Sequence, residues 1–68
     1  MNRIKEIRQR LHFTQKQFGE ILGVGQSAVA QWETGEKFPA TIQLYRLCEL
    51  SGESMTELLK DRLNQQKA

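Results

Sequence analysis

Residues 15–32, QKQFGEILGVGQSAVAQW, place Gly19 and Gly23 inside a run of apolar residues at helical spacing. This arrangement restricts the fold more than any other part of the chain. Two helices joined by a tight turn and crossing at roughly 90–120° approach too closely for a large side chain on the first helix. Gly19 meets that need. Gly23 falls where the first helix must stop, and glycine takes up left-handed backbone there without steric cost. Phe18 and Leu22 face the core, and Val24 packs into the corner. Val29 and Trp32, three residues apart, turn one face of the second helix inward. Gln26, Ser27, Ala30 and Gln31 are left pointing out. At this spacing Trp32 reads as core rather than as a stacking platform.

The remaining pattern is helical throughout, and five helices account for it. Ile4, Ile7 and Leu11 mark a first helix over about residues 2–11. Thr14 and Gln17 form a capping box that starts the second helix at Gln15, with Phe18, Ile21 and Leu22 as its buried face. Gly25 caps the third helix less well than serine or threonine does, and that helix is expected from Gln26 to about Glu33. Gly35 ends it. Pro39 is expected to enter the fourth helix near its first turn. Leu44, Leu47 and Cys48 give the fourth helix its inner face, and Ser51-Gly52 closes it. Ser54 and Glu57 make a second capping box, opening a fifth helix with Met55, Leu58 and Leu59 inward. The expected fold class is all-α: one domain over residues 1–63, followed by a frayed polar tail over 64–68.

Sixty-eight residues leave no room for a second domain and sit near the lower limit for an unaided core. Ordering the chain costs on the order of 100 kcal/mol, so its apolar residues must be placed efficiently. No apolar run reaches the ~18 residues of a membrane span, and MNRIKEIRQR alternates charge with apolar residues in helix period. No membrane association is expected, and the cytoplasm is the expected compartment. One cysteine makes no internal disulfide, and Cys48 with His12 makes no metal site. Cys48 reads as a buried structural residue, and His12 as the end of the first helix, where a cation is favoured. No nucleophile or acid–base pair stands at a diagnostic spacing. Neither catalysis, a cofactor nor a small-molecule ligand is expected.

The net charge of +2 is unevenly spread. Residues 1–31 carry five basic against two acidic side chains, and residues 32–68 carry five against six. The basic surplus therefore lies with the helix pair, which suits a polyanionic partner. A rigid helix presenting short amides and a hydroxyl is in turn suited to reading base edges in a DNA major groove. Arg3, Lys5 and Arg10 read either as phosphate contacts or as plain surface charge. Phe38 either plugs the core beside Pro39 or lies partly exposed at a dimer interface, with the interface favoured.

Several spaced segments then agree: TQKQFG at 14–19, LGVGQS at 22–27, VAQWETG at 29–35, Pro39, and GESMTELL at 52–59. Together they resemble the helix-turn-helix family of phage Cro and lambda-type repressors, the XRE-like proteins. The resemblance covers about Ile4 to Leu59. It implies a five-helix, lambda-repressor-like domain that binds double-stranded operator DNA, usually as a homodimer on a palindrome. By residue, it implies base contacts from Gln26, Ser27 and Gln31. Glutamine pairs bidentately with adenine, worth ~1–3 kcal/mol of discrimination. Phosphate contacts are implied for Gln15, Lys16, Thr34, Lys37, Arg8 and Arg10. Gln15 also buttresses the recognition helix, at a helix N-terminus that favours anions. Arg8 and Glu33 match an architectural ion pair.

The sequence departs from the family pattern at four places. Gly25 replaces the usual serine or threonine. Ser51 and Glu53 stand where aliphatic residues are common, and Ala40 where some members carry a basic side chain. Repression is the expected effect, since a lone binding domain can occlude polymerase. Two other readings stand beside a Cro-like repressor: an antitoxin-type protein-binding module with autoregulatory DNA binding, and the DNA-binding domain of a longer repressor.

Overall fold

A computed structural model describes the backbone of residues 3–65 and the side chains of residues 3–60. Five helices follow one another: α1 (Arg3–Arg10), α2 (Gln15–Leu22), α3 (Gln26–Thr34), α4 (Thr41–Ser51) and α5 (Met55–Gln65). The fold is all-α, with no strand among the described residues. α2 and α3 share the most extensive contact. α1 packs on α3 and α5, and α4 on α5 and α2. One core serves all five helices: Ile4, Ile7, Phe18, Leu22, Val29, Trp32, Leu44, Leu47 and Leu58 are buried.

The helix ends follow local chemistry. The Thr14 hydroxyl accepts from the Gln17 backbone N–H at 3.1 Å, and the Gln17 side chain accepts from the Thr14 N–H at 3.0 Å. This completed capping box fixes the start of α2. Gly23, at φ 77°, ends α2 in the left-handed region. There its N–H reaches Glu20 O and the Val24 N–H reaches Gly19 O at 2.8 Å, the paired bonds of a Schellman motif. α1 ends by the same motif, with His12 at φ 63° in the glycine position. The His12 N–H donates to Gln9 O and the Phe13 N–H to Arg8 O, each at 3.1 Å. Histidine tolerates this backbone better than most L residues. Phe13 then stacks on Phe18, ring centroids 6.1 Å apart, closing the corner between α1 and α2.

Several expectations need correction. Ile21 is not part of the buried face of α2; it is 40% exposed, because α4 leaves an open groove beside it. Pro39 does not enter α4. It is buried, and extended Ala40 (φ −71°, ψ 166°) forms the N-cap without a side-chain hydrogen bond. Phe38 packs against the core and stays half-buried. Cys48 is half-buried rather than buried. At α5 the Ser54 hydroxyl accepts from the Glu57 N–H at 3.2 Å, while the Glu57 carboxylate accepts from Lys60 at 3.0 Å. α5 reaches Gln65; the rest of the expected tail, and the start of α1 at Asn2, lie outside the described residues.

Candidate nucleic-acid interface

Packing at Gly19 governs where α3 starts. A Cβ on Gly19 would stand 2.8 Å from Val24 O and 3.1 Å from Gly25 O. Backbone carbonyls cannot swing aside as side chains do, so the turn closes this tightly only over glycine. Val29 and Trp32 anchor α3 from within the core. The outward face is graded. Gln26 and Ser27 are exposed, whereas Ala30 and Gln31 are half-buried. Gln31 thus projects less freely than the sequence suggested. Its carbonyl accepts from the Thr34 hydroxyl at 3.1 Å and from the Lys37 N–H at 3.2 Å.

The far end of α3 is held by charge. Glu33 accepts from Arg8 Nε at 2.6 Å and from Arg8 Nη2 at 3.1 Å, a bidentate pair. Its Oε1 also accepts from Gln15 Nε2 at 3.1 Å. The Glu33 side chain is 5% exposed and that of Arg8 is 14% exposed. The hydrogen bond that Arg8 donates to Glu33 raises the Arg8 pKa above its ordinary value. Arg8 Nη1 donates to Phe13 O at 2.9 Å, so three of the five guanidinium N–H groups are turned inward. Gln15 keeps one amide N–H for another acceptor.

Arg10 lies elsewhere. Two residues on from Arg8, it sits about 200° around α1 and donates to Glu53 at 3.2 Å. Arg3 donates to the same carboxylate from Nε at 2.6 Å, and that bond holds the Arg3 pKa above its ordinary value. Glu53 therefore ties α1 to the α4–α5 connection. The spacing of Arg3 and Arg10, two helical turns apart on one face, is the sequence signal for this link, together with an acid at an aliphatic position. Lys16, Thr34 and Lys37 are exposed. No acidic residue occupies the first turn of α2 or α3, and α3 starts at Gly25 without a side-chain cap. The α3 N-terminus thus presents N–H groups and a positive dipole end with no side-chain cap, whereas at α2 the Glu33 carboxylate lies beside Gln15.

Among the described residues there is no cluster of side chains that could hold a metal ion, and no helix is long and apolar enough to cross a membrane.

The chain is 30% identical over 57 residues to the uncharacterized HTH-type transcriptional regulator YgzD of Bacillus subtilis, covering 84% of this chain and 86% of that one. It is 46% identical over 44 residues to the type II methyltransferase M.SsoII of Shigella sonnei. That alignment covers 60% of this chain but spans only 12% of the methyltransferase. No solved structure matches the chain. The helix-turn-helix family model matches residues 4–58, which run from α1 into α5. With α2 and α3 packed across Gly19, the chain belongs to the XRE-type helix-turn-helix family of transcriptional regulators.

Proposed function

We propose that this protein is a sequence-specific regulator of the Cro-like repressor kind, binding a palindromic DNA operator as a homodimer. The observation that carries the reading is the rigid presentation of α3. Its exposed Gln26 and Ser27 project from a helix fixed at one end by Gly19 and at the other by Glu33. Gln26, Ser27 and Gln31 read base edges, with Gln26 the freest of the three. Gln15, Lys16, Thr34 and Lys37 hold phosphate, Gln15 through its second amide N–H. Arg8 serves mainly to orient Glu33, and Arg10 belongs to the Glu53 link rather than to the DNA face. Half-sites lie ~34 Å apart, one duplex turn.

Selection of sites from random duplex, followed by Gln26→Ala and Gln31→Ala, tests the assignment. Each variant loses ~1–3 kcal/mol of preference at one base position, roughly 5- to 150-fold. With four to eight phosphates engaged, log K falls against log salt with a slope of about −4 to −7. Equal affinity for every duplex defeats the claim of specificity. The short match inside a much longer methyltransferase favours a second reading, in which the same fold directs a larger protein to DNA. Sequencing the reading frame around this segment distinguishes the two.

A further inference from the structure

The outer face of α4 carries Ile42, Tyr45, Arg46 and Glu49 at i, i+3, i+4 and i+7, so they form one stripe. Ile42 is 59% and Tyr45 62% exposed, the two most exposed large apolar side chains among the described residues. Beside the stripe runs an open groove of about 270 Å³, lined by Ile21, Arg46, Glu49 and Leu50. It falls below the ~300–1,000 Å³ of small-molecule sites, and suits a side chain better than a ligand. Arg46 and Glu49 stand side by side with opposite charges, and neither pairs with another described residue. The Arg46 guanidinium lies along the end of α2, its Nη1 3.2 Å from where a Cβ on Gly23 would be.

We propose that this face binds a second copy of the chain, α4 against α4 in antiparallel two-fold pairing. Self-complementarity argues for that occupant. In a two-fold interface each contact occurs twice, with the partners exchanged. Setting Arg46 opposite the second copy's Glu49 therefore sets Glu49 opposite the second copy's Arg46. The same antiparallel register brings Tyr45 opposite the second copy's Leu50, at the groove between α2 and α4. Each tyrosine thus fills the other copy's groove, an aromatic anchor on either side of the two charge pairs that flank the two-fold axis. The pairing rests on the dimer in the proposed reading and assigns its face. None of its residues is among those proposed to touch DNA.

Sedimentation equilibrium without DNA tests the pairing apart from DNA recognition. The wild type associates to a dimer. Arg46→Glu and Glu49→Arg each juxtapose like charges twice, and each weakens association ~tenfold or more. An equimolar mixture of the two variants restores it, because every facing pair is again of opposite sign. The double variant Arg46→Glu/Glu49→Arg restores it as well, and Tyr45→Ala weakens it. Circular dichroism checks that each variant folds; the substituted side chains lie outside the core. A wild type that stays monomeric overturns the proposal. So does a single variant that dimerises like the wild type, or a mixture that fails to associate. Site selection with the wild type decides the DNA reading separately.

Discussion

Removing the Glu33 carboxylate is the most demanding test of how α3 is held. Glu33→Ala deletes three hydrogen bonds and leaves Arg8 charged, 14% exposed, with only Phe13 O as a remaining acceptor. Stranding one partner of a buried ion pair costs ~3–5 kcal/mol. The bond to Phe13 O and the residual exposure of Arg8 place this case at ~3 kcal/mol, the lower end of that range. A domain of this length has about 3–10 kcal/mol in total. At ~4–8 °C per kcal/mol, the melting temperature falls by about 12–24 °C. Urea denaturation of Glu33→Ala, Arg8→Ala and the double variant supplies the cycle. The double variant costs less than the two singles together, because removing both ions leaves no stranded charge. Losses below ~1 kcal/mol for the single variants, or strict additivity, refute the buried-tether account, since exposed pairs behave that way.

Three further outcomes are expected. Gly19→Ala drives a Cβ against two carbonyls, and overpacking of ~1–3 kcal/mol outweighs the ~1 kcal/mol gained in helix propensity; undiminished stability in thermal melts contradicts the close-approach argument. At Gly25, where a Cβ meets nothing within 4 Å and the backbone is already extended, Gly25→Ser exceeds Gly25→Ala in stability by ~1 kcal/mol through the new N-cap hydroxyl. Equal urea midpoints for the two would count against a missing cap. The hydrogen bond from Lys60 holds the Glu57 carboxyl below the usual range. Its contribution to stability is therefore present above the unfolded carboxylate pKa and fades as the pH falls through the lowered folded value. Wild type and Glu57→Gln should diverge near neutrality and converge in acid; stability curves that stay parallel from neutral to acid pH contradict this.

What the sequence made legible was chemistry confined to neighbouring residues. The Thr14–Gln17 capping box, the stops at Gly23, Gly35 and Gly52, and the inward pairing of Val29 with Trp32 depend on spacing within a turn or two. Ile21 failed because it flanks the Phe18–Leu22 stripe, where only the packing of α4 decides between core and groove. Pro39 failed for a similar reason. It is buried in the connection, the chain stays extended through Ala40, and α4 begins beyond it. His12 carries no composition signal for a left-handed backbone, and the position shows itself only through the two bonds that close α1. Glu53 looked like a flaw in an apolar contact. In the fold it receives Arg3 and Arg10, whose separation along the chain from Glu53 no local rule spans.

The two ends of α3 are tethered by unlike forces. At the N-terminal end the restraint is steric: Gly19 lets the backbone of Val24 and Gly25 settle on α2, and neither salt nor pH acts on it. At the C-terminal end it is ionic, with α1 and α2 both reaching Glu33. Nine residues of helix separate the two ends, about 13 Å at 1.5 Å per residue. Loosening either end tilts the helix about the other. Gln26 lies next to the steric end, so damage at Gly19 moves it directly, whereas loss of Glu33 acts most strongly on Gln31, Thr34 and Lys37. If α3 reads DNA as proposed, a fault at Glu33 shows first as altered contact at Gln31 and weaker phosphate binding, and a fault at Gly19 as lost discrimination by Gln26.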